Sequence, residues 1–281
     1  MKEITIKCPA KINLTLEILN RRDDGYHNIK SIMQLISLYD YLTISIKHAN
    51  SNKIYLSGSS KEIPYDKTNL VYKACMLFLE KSGINDVEIA VHIDKNIPIS
   101  AGLAGGSTDG AGLIYGLNEL LMVFDKNKLE SLCAQLGSDL NVCLNGGCML
   151  ATSRGEVTQQ LPVAKKEVTL IKPIKLGISA KEAYTKYSLK KQKNKNDMTE
   201  KMIDALRQKQ EIVPFLFNDL EYAVFDDYPE LQTIKKAYPE AIMSGSGSTY
   251  FLLNNITGFS LGDDFMYINE LKFIENGVCI C

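Results

Sequence analysis

Residues 97–112 read IPISAGLAGGSTDGAG, with glycine at 102, 105, 106, 110 and 112 and the hydroxyl pair Ser107 and Thr108 in the middle. Ahead of it, VEIAVHID at 87–94 alternates Val87, Ile89, Val91 and Ile93, the pattern of a half-buried strand. Behind it, LIYGLNELL at 113–121 has helical spacing. A glycine-rich loop in that position has two readings. One is a tight connection whose glycines relieve strained backbone. The other is an anion cradle, because a loop leading into a helix directs free backbone N–H groups and the positive end of the helix dipole at whatever lies in front. Glycines let such amides approach a phosphate closely, and Ser107 and Thr108 add hydroxyl ligands for phosphate or Mg2+, with Ser107 the metal candidate. The stretch is not a Walker A motif, since no Gly-Lys-Ser/Thr follows, and it is not G-x-G-x-x-G.

Toward the N-terminus, Cys8, Ala10, Ile12, Leu14, Leu16 and Ile18 alternate with Lys7, Lys11, Asn13, Thr15 and Glu17, so Lys11 and Asn13 share one face of a strand. NRRDDGYHNI carries an Asp-Gly turn signal and leads into strand-prone sequence. Residues 66–82 have helical spacing and stop at Gly83. Toward the C-terminus, KNKLESLCAQLGSDL reads as a helix ending near Gly137, followed by strand-like VCLNGGCMLA. The polar stretch at 154–161 marks a domain boundary, giving domains 1–155 and 156–281. The second half holds a strand at VTLIKP, helices at AKEAYTKYSL and TEKMIDALRQK, and IMSGSGSTYFLL as strand, glycine turn, strand.

At 281 residues, 45% hydrophobic and 23% charged, the chain is an ordinary globular protein of two medium domains, with no apolar run of membrane-spanning length. Its start alternates like a strand and does not read as a signal peptide, which points to the cytoplasm. Seven cysteines without C-x-x-C spacing fit reduced thiols. A net charge of −1 gives no general attraction to nucleic acid, and the basic run LKKQKNKN at 189–196 reads as a solvated loop.

Three stretches, PAKINLTLEI, IPISAGLAGGSTDGAG and SGSGSTYFLL, resemble in order and spacing the signature motifs of the superfamily of galactokinase, homoserine kinase, mevalonate kinase and phosphomevalonate kinase. PAKINLTLEI followed by GYH is similar to its branch acting on cytidine-diphosphate methylerythritol. The resemblance implies a two-domain α+β GHMP-kinase fold. Its N-terminal domain would be like domain 2 of ribosomal protein S5 and its C-terminal domain a ferredoxin-like α/β sandwich, with the site in the cleft between them. It also implies phosphoryl transfer from ATP, with Mg2+, to a hydroxyl of a small-molecule substrate. No nucleic-acid or membrane partner is implied, and monomer and homodimer stay open.

By the same resemblance the ATP phosphates lie against Ala101, Gly102, Leu103, Ala104, Gly105, Gly106, Ser107 and Thr108, with Lys95 and Pro98 completing the nucleotide set and Lys95 on the adenosine side. Asp139 matches the catalytic aspartate that accepts the hydroxyl proton, and Lys11 matches its partner lysine. Read alone, Asp139 is a helix-boundary residue and Lys11 a solvated strand-face lysine. Tyr26 would stack on cytosine, His27 would bond its polar edge, and Tyr184 would cover the other base face; read alone, they are a strand-entry aromatic, a surface histidine and a core tyrosine. Asn13 would bond the methylerythritol end, while Gly245, Ser246 and Gly247 form a third motif of structural support.

Three residues depart from the pattern. Ala104 replaces a glycine, so a positive φ there would strain the loop. Asn141 replaces a proline after the aspartate, and Ala180 a threonine before the stacking aromatic. These departures keep two other readings in play, a kinase of another small alcohol and a non-catalytic nucleotide or metabolite sensor.

Overall fold

The computed structural model describes residues 1–190, 197–256, 258 and 261–281; residues 191–196, most of the expected solvated basic loop, lie outside the described residues. In chain order the elements are β1 (Lys2–Arg21), β2 (His27–His48), β3 (Lys53–Gly58), α1 (Leu70–Ser82), β4 (Val87–Asp94), α2 (Gly105–Leu121), α3 (Lys126–Leu136), α4 (Leu140–Asn145), β5 (Cys148–Ser153) and β6 (Val157–Leu161). Then come β7 (Glu167–Pro173), α5 (Ala180–Leu189), α6 (Met198–Gln208), β8 (Phe217–Asn218), α7 (Asp219–Val224), α8 (Pro229–Ala237), β9 (Ile242–Met243), β10 (Tyr250–Leu252), β11 (Phe265–Lys272) and β12 (Cys279–Ile280). The fold is α+β, with two sheets. The larger runs β12-β1-β2-β4-β3, with β5 added on β2, β6 on β5 and β8 on β1; the smaller runs β11-β7-β10-β9.

β1 connects the two. Its apolar residues fill two cores in turn, and its pairing with β2 shifts between Pro9 and Ala10, where Ser37 and Leu38 of β2 are passed over. Ile6 and Cys8 pack with α1 and α2, whereas Ala10, Ile12 and Leu14 pack with residues of β7 and α6. The middle of the strand is covered on both sides, so the alternate positions Lys11, Asn13 and Thr15 are buried as well. Solvation of the Lys11 face, which alternation alone suggests, is therefore not what the fold provides.

Three elements differ from the sequence reading. α2 begins at Gly105, so residues 105–112 are helix and not loop. Glycine is needed there for packing: a Cβ at Gly112 would lie 2.3 Å from Cys8 Sγ, and one at Gly116 would lie 2.5 Å from Ile44 Cδ1. Spaced four apart on one helix face, these two glycines let α2 settle onto the sheet. Of the stretch 142–151 expected as strand, residues 142–145 belong to the short helix α4, stopped by Gly146 and Gly147 at φ +85° and +70°, and the strand starts at Cys148. α1 starts at Leu70 instead of 66, because Asp66 holds Thr68 in a local turn and the Asn69 side chain caps the helix. β9, the glycine turn and β10 form the expected antiparallel hairpin. Among the described residues no helix is long and apolar enough to cross a membrane.

Candidate active site

The glycine loop is gripped from two sides. Gly102 has φ +75°, and a Cβ there would lie 2.0 Å from the Ser244 carbonyl oxygen. Its own carbonyl accepts hydrogen bonds from Lys11 Nζ and Ser244 Oγ, both at 3.0 Å. Leu103 O accepts the Lys11 N–H, and Ala101 O accepts the Thr249 N–H. The first and third sequence motifs thus hold the second in place.

Ala104 sits at φ 59°, the left-handed conformation anticipated as strain, which costs about 1 kcal/mol in a residue with a Cβ. No side chain caps α2, and its first internal bond runs from Thr108 N to Ala104 O at 2.9 Å. The amides of Gly105, Gly106 and Ser107 therefore point out of the helix start. A Cβ on Gly106 would meet nothing within 4 Å, and Ser107 lines the adjoining cleft.

Several of the residues expected to hold the nucleotide do not line the cleft. Thr108 is fully buried with its N–H spent on Ala104, because one further step around the helix carries it onto the packed face; it offers no hydroxyl to a phosphate. Ala101 and Leu103 are core residues that serve through their backbone, and Pro98 is half-buried outside the cleft lining. Lys95 does not reach toward a nucleotide: its ammonium is enclosed between Asp40 and Asp109. Burial alone would lower that ammonium's pKa, but the two carboxylates overcome it and hold it above the ordinary lysine value. Burial, with Asp40 alongside, pushes the Asp109 carboxyl up to about 7 despite Lys95.

Lys11 and Asp139 meet at the head of the cleft, Nζ to Oδ2 at 3.7 Å. The Lys11 side chain is 4% exposed and that of Asp139 28%, so the lysine is fixed while the carboxylate stays open to the cleft. Lys11 Nζ also donates to Asn13 Oδ1 at 2.7 Å, and Asn13 Nδ2 donates to Ser31 Oγ at 2.9 Å. Ser31 in turn donates to Thr15 O at 2.6 Å, so the chain of donors sets the Asn13 amide with its oxygen toward Lys11. Gly245 leaves room for this arrangement, since a Cβ there would lie 3.0 Å from Lys11 Nζ. Ser246 also lines the cleft, while Gly247 packs on Met243. Asn218, absent from the sequence reading, donates to the carbonyls of Met243 and Gly245 at 2.6 and 2.8 Å and caps α7, which anchors the third motif.

The cleft holds about 890 Å³, and its lining includes Lys11, Asn13, Asp139 and Ser107 together with Tyr26, His27 and Tyr184. His27 stacks on Tyr184, with centroids 5.3 Å apart and planes 17° from parallel. Tyr26 is 57% exposed, with the Arg154 guanidinium 5.3 Å from its ring centre. The three aromatics are together as expected, but Tyr184 faces His27 instead of an open slot shared with Tyr26. Loss of hydration, reinforced by Arg21, lowers the pKa of His27 below its ordinary value. Arg21, Arg154 and Lys181 also line the cleft. Sequence reasoning missed them because isolated basic residues on a nearly neutral chain carry no pattern. Among the described residues no group of three or more His, Cys, Asp or Glu side chains stands ready for a metal.

Residues 69–153 match the family model described as the GHMP kinases N terminal domain. The 4-diphosphocytidyl-2-C-methyl-D-erythritol kinase of Caldicellulosiruptor saccharolyticus is 39% identical over 254 residues, covering 88% of this chain and 86% of that one. The enzyme of the same name from Bacillus pumilus is 37% identical over 281 residues, covering 97% and 91%. A crystal structure of 4-(cytidine 5'-diphospho)-2C-methyl-D-erythritol kinase aligns with a TM-score of 0.70 at 29% identity over 90% of each chain. Homoserine kinase from Cytophaga hutchinsonii aligns with a TM-score of 0.76 at 17% identity over 100% of this chain and 98% of that one, a likeness of fold.

Proposed function

The chain belongs to the 4-diphosphocytidyl-2-C-methyl-D-erythritol kinase family of the GHMP kinases, and from that membership we propose how its residues carry the reaction. The protein is an ATP-dependent small-molecule kinase of isoprenoid precursor synthesis that phosphorylates the 2-hydroxyl of 4-diphosphocytidyl-2-C-methyl-D-erythritol. The observation that carries the assignment of roles is that the Lys11–Asp139 pair lines one cleft with Ser107, at the uncapped start of α2, and with the three aromatics.

Asp139 takes the proton of the attacking hydroxyl. Lys11, immobilised by Asn13 and Gly102 O, holds that carboxylate in line and offsets charge on the group in transfer. The amides of Gly105, Gly106 and Ser107 receive the triphosphate, and His27 with Tyr26 and Tyr184 receives cytosine. Asn13 faces the methylerythritol end. Mg2+ fits as a nucleotide complex: with no cluster of carboxylates among the described residues to hold it alone, it would take most of its ligands from the phosphates and one from Ser107, and would neutralise charge there. Residues 1–155 then supply the nucleotide side and residues 156–281 the α5 wall and the third motif. A cytoplasmic location suits this chemistry.

The test is release of ADP with Mg2+ and ATP, comparing the cytidine substrate with mevalonate, homoserine and galactose. Release confined to the cytidine substrate is the expected result; turnover of another alcohol in preference to it would reassign the cleft. A second expectation concerns pH. His27 binds as the neutral ring, with one donor and one acceptor, and its lowered pKa keeps it neutral at pH 7. KM for the cytidine substrate should be level from about pH 7 to 8 and rise as pH falls below about 6, where the acceptor is lost to protonation. A His27→Ala variant should have a raised KM without that acid-side rise. The same acid-side rise in the variant would assign the titration to another group.

A further inference from the structure

Lys95 lies beneath the loop with its side chain 5% exposed, joined to Asp40, 0% exposed, and to Asp109, 4% exposed. Its Nζ donates to Asp109 Oδ2 at 2.8 Å and to Asp40 Oδ2. Asp40 Oδ1 accepts the N–H groups of Asn96 and Ile97 at 2.6 and 2.8 Å. Asp40 belongs to β2, Asn96 and Ile97 open the loop, and Asp109 lies one helical turn beyond Gly105 in α2. A Cβ on Gly105 would stand 3.1 Å from Lys95 Nζ, so the first residue of α2 rests close to the ammonium. One buried cation therefore ties both ends of the glycine loop to the sheet.

We propose that Lys95, clasped between Asp40 and Asp109, is a positioning residue for the phosphoryl donor. It fixes the first turn of α2 against the sheet so that the amides of Gly105, Gly106 and Ser107 stay aimed into the cleft, without touching the nucleotide itself. The proposal rests on the reading of that helix start as the triphosphate site. Two consequences set this role apart from general support of the fold. Removing the ammonium unties the loop and leaves uncompensated negative charge beneath the triphosphate site, so the loss falls on ATP more than on the cytidine substrate, whose base is held by Tyr26, His27 and Tyr184. Removing Asp109 takes away a negative charge, which by electrostatics alone favours ATP, but it also cuts the tie to the helix.

Lys95→Met, Lys95→Arg, Asp109→Ala and Gly106→Asp are compared in steady-state kinetics well below their melting temperatures. Lys95→Met is expected to raise KM for ATP about ten- to a hundred-fold, leave KM for the cytidine substrate within about two-fold, and be largely rescued in Lys95→Arg. Asp109→Ala, which leaves Lys95 balanced by Asp40, is expected to raise KM for ATP several-fold. If Lys95→Met does not fold, Asp109→Ala alone decides. An unchanged or lowered KM for ATP in folded Asp109→Ala, or an unchanged one in folded Lys95→Met, overturns the proposal. Gly106→Asp, placed in open space, puts a carboxylate at the helix start and tests the underlying reading separately. If it leaves KM for ATP unchanged, the triphosphate site is elsewhere. If it raises that KM while the clasp variants do not, only the clasp is wrong.

Discussion

Asp139→Asn is expected to lower kcat by about 10³-fold while ATP binding stays within about two-fold of the parent, because the change removes a proton acceptor and keeps the side-chain shape. The surroundings make the comparison clean. Asp139 precedes α4 without capping it, so the helix does not depend on its carboxylate. Lys11 keeps its bonds to Asn13 and Gly102 O after the carboxylate charge is gone, and so stays in place. Steady-state kinetics with calorimetric titration of a non-hydrolysable ATP analogue separates the two quantities. A kcat within about ten-fold of the parent would remove Asp139 as the base, since that is less than a positioned general base contributes.

Gly102→Ala is expected to destabilise the protein by about 4 kcal/mol, combining a left-handed backbone that disfavours a Cβ with overpacking against main chain. The new carbon would stand 2.0 Å from the Ser244 carbonyl and 3.0 Å from the Gly247 nitrogen, and neither can swing away as a side-chain tip would. Relief requires parting the glycine loop from the third motif, which also breaks the Ser244 Oγ and Lys11 Nζ bonds to Gly102 O. Urea unfolding at equilibrium measures the loss, and the fraction of soluble protein serves if the variant is too unstable to titrate. A loss below about 1 kcal/mol would mean the two motifs do not hold each other as closely as the structure has them.

Much of the site was legible in the sequence because its parts are local. The run from 97 to 112, PAKINLTLEI and SGSGSTYFLL each carry their pattern within a few residues, and Lys11 with Asn13 follows from the two-residue period of a strand. The positive φ at Ala104 was foreseeable for the same reason: backbone conformation at the start of α2 is a local demand. Tyr26, His27 and Tyr184 do reach one cleft, yet which ring faces which depends on how α5 sits on the strand start, and no local pattern encodes that.

The residues whose placement departs from expectation share a cause. The resemblance put Lys95 on the adenosine side of the nucleotide, while Asp40, fifty-five positions away, draws its ammonium inward. Thr108 looked like a hydroxyl ligand until the helix was seen to start three residues before it, turning it into the core. Asn218, Arg21 and Arg154 gave no signal, since each acquires its place only from distant chain. By itself the sequence determined most of the elements, the order of the motifs and the chemistry each could supply, because hydrophobic period, turn residues and glycine spacing act over a few residues. Only the tertiary structure decided which charged groups face the cleft and which are spent on one another, because burial and pairing energies depend on neighbours brought together by folding.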